Sequence, residues 1–334
     1  MKVLFIGGTG IISSACAALG LEQQLEVSLL CRGTTDRPVP HGASVLRGNI
    51  RDPGSVRRVL SDLRFDAVVD WVAFTPEDVE RDIELFRGRV AQYVFISSAS
   101  IYQTPPGRLP VSESAMTDNP VWAYSRAKIA CEERLVRAYR EEKLPVTIVR
   151  PSHTYDERTL PVHGGWTAID RMRRGKPVVV HGDGSSLWVL THHRDFAKGF
   201  VPLLGNAAAV GETFHITSDE LLTWNQIYSA LGRAAGVEPT LVHVPSAMIA
   251  AADSEWGDSL LGDKTHSMIF DNAKIRSFAP GYAATIPFSR GAEQLIRWHD
   301  ADARRRSIDE GFDSVSDRLI AAMQSATKAV RTAG

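Results

Sequence analysis

The chain has 334 residues, 44% of them hydrophobic, enough to bury one large core or two smaller ones. Its 38 basic and 39 acidic residues nearly cancel, which argues against nucleic acid or an anionic membrane as partner. No apolar run approaches the ~18 residues a bilayer span needs, and MKVLFIGGTG at the N-terminus leaves no room for a signal peptide.

Cys16, Cys31 and Cys131 lie far apart and form no CxxC pair, as expected of a soluble protein of the reducing cytoplasm. In chain order, short apolar runs then alternate with helical segments. Val3–Ile6, Glu26–Leu30, Ser44–Arg47, Ala67–Val72, Tyr93–Ser97 and Val146–Arg150 have strand length and nearly continuous apolarity. Such runs suit strands covered on both faces of a parallel sheet. Helices are predicted between them at Ile11–Leu21, Gly54–Leu63, Pro76–Arg87 and Val121–Lys143. The alternation predicts an α/β fold, a doubly wound parallel Rossmann sheet over residues 1–151 with its ligand crevice at the carboxyl ends of the strands.

After Arg150 the rhythm changes. A helix at Trp166–Arg174 leads to a strand at Pro177–His181, then to the pairs Leu187–Leu190 with Arg194–Leu204 and Thr213–Thr217 with Trp224–Ala235, and a strand at Thr240–Val244. Residues 152–334 read as a smaller C-terminal substrate lobe that returns elements near 187–220 to the sheet. Val315, Leu319, Ile320, Met323 and Val330 recur at helical spacing and predict a docked C-terminal helix.

The first strand runs straight into Gly7-Gly8-Thr9-Gly10-Ile11-Ile12-Ser13. A glycine turn between strand and helix lets the backbone approach a pyrophosphate, whose charge then rests on the helix N-terminus. Serine stands at the third position of the GxxGxxG spacing, where a small residue serves helix–strand packing. Gly7, Thr9, Gly10, Ile11 and Ile12 are therefore candidate dinucleotide contacts. The second strand ends in Arg32 rather than an acidic residue, which favours NADP over NAD, with Thr34 and Thr35 as further donors. Asn49 and Ile50, at the end of the third strand, are placed to bracket an adenine.

The fifth strand ends Ser97-Ser98-Ala99-Ser100, and Tyr124-Ser125-Arg126-Ala127-Lys128 follows 26 residues after Ser98. Asn119-Pro120 predicts a helix start just upstream, with Asn119 as cap. Tyr124 and Lys128 then share a helix face. A neighbouring ammonium stabilises a phenolate and lowers a tyrosine from its usual ~10 toward working pH. Such a tyrosine exchanges a proton with an alcohol or carbonyl oxygen while hydride moves at a nicotinamide, and Ser98 orients the same oxygen.

GGTGIIS at 7–13, SSASIY at 97–102, YSRAK at 124–128, RPSHTY at 150–155 and GDGSS at 182–186 resemble the extended short-chain dehydrogenase/reductase superfamily, specifically its NAD-dependent epimerase/dehydratase family. The likeness spans about residues 1–300. It implies a bound NAD(P), a catalytic set of Ser98, Tyr124 and Lys128, and a substrate contact at Ser100. It also places Trp71, Val72, Ala73, Pro151 and Ser152, together with Tyr124 and Lys128, beside the cofactor, and it implies a homodimer. Two positions depart from the nucleotide-sugar members. His153 replaces an asparagine, and Trp188 replaces an arginine, both of which meet a substrate diphosphate in those members. An indole lacks the bidentate charge of a guanidinium, so His153 and Trp188 point to another substrate. Trp122 and Trp166 are candidates for the same pocket, and His192, His193 and Arg194 for anion contacts.

No metal is expected, because His192 and His193 are adjacent on one segment and point apart, with no further ligand in view. Asp195 is read as anchoring the lobe. Ala99-Ser100 stands where family dehydratases place Asp-Glu, which argues against sugar dehydration. The expected activity is NAD(P)-dependent reduction or epimerisation at a secondary alcohol or ketone of a sugar, sugar nucleotide or related natural product. The alternative is a regulatory Rossmann protein binding RNA, resembling chloroplast stem-loop-binding relatives; near-neutral charge and the intact Ser–Tyr–Lys set oppose it.

Overall fold

The computed structural model describes residues 1–61 and 63–332. Strand β1 (Lys2–Ile6) is buried from Val3 onward, so both its faces require cover. The chain supplies that cover in alternation: α1 (Ile11–Glu22), β2 (Glu26–Cys31), β3 (Ser44–Arg47), α2 (Pro53–Leu60), β4 (Ala67–Asp70), α3 (Pro76–Phe86), β5 (Gln92–Ile96), α4 (Ala123–Glu142) and β6 (Val146–Pro151). Helix starts follow from local chemistry. Asp52 accepts from the N–H groups of Gly54 and Ser55 at 3.0 and 3.1 Å with Pro53 in the first turn, and Thr75 caps α3 ahead of Pro76. The helix expected over Gly54–Leu63 ends at Leu60, and position 62 lies outside the described residues.

The expected start of the Tyr124 helix is corrected. Asn119 does not cap it; α4 begins at Ala123. Asn119 is buried, and its amide N–H groups go to the carbonyls of Ser100 and Gly262 at 2.9 and 2.7 Å. Its oxygen closes a turn onto the Trp122 N–H at 2.9 Å, so the helix waits for that turn to finish.

The second half holds β7 (His153–Tyr155), α5 (Trp166–Arg173), β8 (Val178–His181), β9 (Leu187–Trp188), β10 (Leu190–His192), α6 (His193–Phe200), β11 (Thr213–Ile216), β12 (Leu222–Thr223), α7 (Trp224–Ala234) and β13 (Leu241–Val244). Then come α8 (Ser246–Ala252), α9 (Ser254–Ser259), a π-helical turn at Leu260–Lys264, α10 (Ala273–Phe278), α11 (Phe288–Asp300) and α12 (Glu310–Thr332). The run expected as one strand at Leu187–Leu190 is two, because β9 pairs antiparallel with β12 while β10 pairs parallel with β7. β11 joins the main sheet beside β6, giving a seven-stranded parallel order β11-β6-β5-β4-β1-β2-β3.

Apolar side chains fill both faces of this sheet. Phe5, Leu29, Phe196 and Phe200 pack on the α1–α6 side, and Leu4, Val68, Phe95 and Leu135 on the α2–α3–α4 side. A third cluster, around Trp188, Trp224, Ile227 and Phe288, belongs to the lobe. Asp195 ties lobe to sheet, accepting from the Ile286 N–H at 2.8 Å and from Lys198 at 2.6 Å. α12 docks through Phe312, Leu319 and Ile320 against the β8–β13 ladder, and Arg171 pairs with its Asp313 and Asp317. Its apolar stripe stops short of Val330, which is 76% exposed and has no wall to meet. Positions 333 and 334 of the expected lobe lie outside the described residues. Among the described residues no helix is long and apolar enough to cross a membrane.

Candidate active site

The carboxyl ends of β1, β2, β4, β5 and β6 meet along one edge, and there the glycine turn is locked. Gly7 sits at φ +83°, and a Cβ on it would lie 2.3 Å from Val72 Cγ1, so only glycine fits. Ser13 replaces the third glycine usefully: its Oγ accepts from the Gly10 N–H at 2.7 Å and donates to the Gly7 carbonyl at 3.2 Å. Gly8 is equally constrained, since a Cβ there would lie 2.4 Å from Leu29 Cδ2.

Two cavities continue from this turn. One, of about 430 Å³, is walled by Gly7, Thr9, Gly10, Arg32, Asn49, Ile50 and Val72. Arg37 and Arg51 also line it, two cations that the sequence reading passed over, and no carboxylate does. Arg37 pairs with Asp156 and donates to Thr159 Oγ1 at 3.0 Å, fastening the loop after β2 to the lobe. The other cavity, of about 300 Å³, brings together Ile11, Ile12, Trp71, Tyr124, Lys128, Pro151 and Ser152. Ala73 is the exception among the expected cofactor residues. Its side chain is buried away from both cavities, and its carbonyl accepts from Lys128 Nζ at 2.7 Å. Trp71 mostly packs inward, its ring centroid 5.4 Å from that of Phe5 and 5.0 Å from that of Phe200. The glycine cradle, the donors beside it and the carboxylate-free rim fit an NAD(P) dinucleotide.

Ser98 Oγ faces Tyr124 and is hydrogen-bonded to Ser100 Oγ at 2.9 Å, which in turn meets the buried Ser125 Oγ at 2.8 Å. Ser125 was missed, although it lies inside the YSRAK motif. Lys128 is placed differently from the expectation. Its ammonium donates to the Ala73 and Ile96 carbonyls at 2.7 and 2.8 Å and stands 6.0 Å from the Tyr124 ring centroid. Tyr124 is consequently raised, not lowered, chiefly by burial, with the Ser98 hydrogen bond working the other way. Burial also lowers Lys128 to about 8.

A third cavity, of about 380 Å³, opens on the far side of Ser98 and Tyr124 and takes in Ser100, Trp122, His153 and Trp188. Trp188 donates its indole N–H to His153 Nδ1 at 3.1 Å, so the two residues at the family's diphosphate positions satisfy each other. Burial pushes His153 down to about 3, leaving it neutral. Trp166 is absent from this cavity; it stacks on His299 with centroids 4.0 Å apart. Asp263, Lys264, Met268 and Phe270 also line the cavity and were not anticipated. They lie some 140 residues beyond the tyrosine motif with no pattern of their own.

His192 and His193 do point to different partners, Gln294 at 3.0 Å and the Ile11 carbonyl at 3.3 Å. The expectation of no further ligand is corrected, because Asp156 and Glu157 bring carboxylate oxygens within 4.8 Å of His193. Arg37 and the N–H groups of Arg158 and Thr159 already take up the Asp156 carboxylate, so the group reads as a charge network.

A profile of the NAD dependent epimerase/dehydratase family matches residues 3–217. The 2'-dehydrokanamycin reductase of Streptomyces kanamyceticus is 26% identical over 84% of this chain and 80% of its own length. The chloroplast stem-loop binding protein of 41 kDa b from Arabidopsis thaliana is 27% identical over 72% of this chain and 65% of its own. Among solved structures, an epimerase from Methanothermobacter thermautotrophicus aligns with a TM-score of 0.74 and 17% identity, covering 90% of this chain and 92% of that one.

Proposed function

The chain belongs to the NAD-dependent epimerase/dehydratase family, and from that premise we propose that it is an NADPH-dependent ketoreductase acting on a ring ketone of a sugar or sugar-like natural product. One observation carries the reading: Ser98 and Tyr124 wall both the cofactor cavity and the aromatic cavity, whereas Lys128 lines only the former. When bound, the dinucleotide supplies the hydride. Gly7, Thr9 and Gly10 would hold its pyrophosphate, and Arg32, beside Arg37 and Arg51 that pair with Asp156 and Asp78, favours a 2′-phosphate where a carboxylate would favour a free hydroxyl.

Tyr124 gives its phenolic proton to the carbonyl oxygen, and Ser98 Oγ–H holds that oxygen from a second direction. Tyr124 is protonated at neutral pH, burial raising it further above the ordinary range, so it can serve as the acid that reduction requires. Lys128, fixed by two carbonyls, keeps a cation near the phenolate left behind. The relationship to 2'-dehydrokanamycin reductase supports a ketone on a glycoside as substrate class. The RNA-binding reading has less support: formal net charge is −1, and on the outer side of α3 and α4 Arg134 and Arg87 are paired with Glu80 and Glu142.

Mass analysis of nucleotide released from the purified protein, with NADPH and NADH titrations, tests the proposal. It predicts tighter binding of NADPH and little retained NAD+. Tightly retained NAD+ would indicate an epimerase, and no binding of any dinucleotide would remove the enzyme reading.

A further inference from the structure

The π-helical turn at Leu260–Lys264 brings Asp263 and Lys264 to the aromatic cavity. Such turns are rare and concentrate at functional sites. This one is held firmly: Asn119 and Thr104 donate to the Gly262 carbonyl at 2.7 and 3.3 Å, and His181 and Ser186 to the Lys264 carbonyl at 3.0 and 3.2 Å. Gly262 is itself required, since a Cβ there would lie 2.8 Å from Trp122 Cβ.

The two charges it presents are under-bonded. Asp263 is 8% exposed, yet among the described residues no donor hydrogen-bonds its carboxylate. Lys264 Nζ stands 3.9 Å from Asp263 Oδ2, too far for a hydrogen bond, with the Trp122 and Trp188 ring centroids 5.0 and 5.9 Å away. Burial drives Asp263 up to about 6 and Lys264 down. Both charged ends face the cavity and reach its solvent, so a ligand that fills the cavity has to replace water's hydrogen bonds to them.

The chemistry of that ligand follows. It brings an O–H or N–H donor for the carboxylate, beside it an oxygen acceptor for the ammonium, and apolar faces for the two indoles. Adjacent hydroxyl or amino groups on a pyranose ring supply all three. A diphosphate brings two negative charges against Asp263 with one cation to meet them, and His153 and Trp188 are neutral and engaged with each other.

We propose that Asp263 and Lys264 select a non-phosphorylated glycoside by reading adjacent hydroxyl or amino groups on its ring. The proposal rests on the ketoreductase reading, which makes this cavity the substrate site. Tryptophan fluorescence of the NADPH-loaded protein reports occupancy beside Trp122 and Trp188 without requiring turnover. The probes are methyl β-cellobioside, the glucosamine disaccharide with free amines, and UDP-glucose. Saturable quenching by at least one disaccharide, with none by UDP-glucose at equal concentration, is expected. Asp263→Asn should weaken disaccharide binding about tenfold or more, and Lys264→Met by a similar factor.

NADPH affinity within a few-fold of wild type shows that each variant is folded, and either variant alone decides the question. UDP-glucose binding that Lys264→Met removes, disaccharide binding indifferent to both substitutions, or no disaccharide binding at all would overturn the proposal. Failure of NADPH to bind would instead count against the ketoreductase reading, with the disaccharide titration then read on unloaded protein.

Discussion

Tyr124 and Lys128 carry opposite burdens from the same burial: the phenol is held protonated, and the ammonium is brought within reach of losing its charge. Tyr124→Phe should therefore lower kcat by about 10²–10⁴-fold while NADPH affinity stays within a few-fold, measured by steady-state rates and nucleotide titration. Unchanged turnover would take Tyr124 out of the mechanism. The Lys128 cation is present below its value of about 8 and absent above it. Reduction at saturating NADPH should accordingly fall as pH rises through about 8, before the phenol itself ionises. A pH profile flat from 7 to 9.5 would show that the charge of Lys128 is not needed.

Between elements, α4 is joined to the sheet by a buried ion pair. Arg150 on β6 meets Glu132 on α4 at 2.9 and 2.5 Å, and its remaining nitrogen reaches Tyr102 Oη at 3.1 Å and the Glu113 carbonyl at 3.0 Å. Removing one partner strands the other charge, so Glu132→Ala should cost about 3–5 kcal/mol in urea denaturation, and Glu132→Leu combined with Arg150→Met markedly less. A single-variant loss below about 1 kcal/mol would mean that α4 is held otherwise. How much of this was readable in advance follows the range of each signal. The parallel strands were legible because consecutive residues such as Val3 and Leu4, or Val68 and Val69, point to opposite faces and are all buried, leaving continuous apolar runs. Gly7, Ser98, Tyr124 and Lys128 were legible because strand ends and a helix turn bring them together from local motifs. The start of α4 was not, since the Asn119 amide is tied to the distant Ser100 and Gly262 carbonyls while its oxygen closes a turn onto Trp122 instead of capping the helix. Nor were Asp263 and Lys264, whose placement depends on a π turn pinned by Asn119, Thr104, His181 and Ser186, all distant in sequence.

Over the whole molecule, buried neutral histidines hold elements of the second half to one another. His192 caps α6 by accepting from the Arg194 N–H at 3.3 Å through Nδ1, and its Nε2 meets Gln294 on α11 at 3.0 Å. His181 donates through Nε2 to the Lys264 carbonyl at 3.0 Å. Burial first, and for His192 the neighbouring His193 next, lowers both to about 4. Each therefore binds its proton less readily in the fold than in the unfolded chain. Their contribution is complete above about pH 6.5 and is withdrawn as pH falls toward 4, at up to roughly 1.4 kcal/mol per pH unit for each. His193 and His215, also lowered, act in the same sense. Asp263 and the buried Asp82 act in the opposite one: both are raised, Asp263 to about 6, so each disfavours folding when charged and is relieved as it protonates. Ion-paired Asp300, held near 2, changes only below about pH 4 and leaves this window clear. The histidines outnumber the two carboxyls, so stability should fall by roughly 1–3 kcal/mol between pH 6.5 and 5, read as a lower urea midpoint. Asp263→Asn removes its share of the offset and should make that fall steeper than in wild type. Midpoints that hold constant or rise on acidification would show that the fold does not depend on these imidazoles staying neutral.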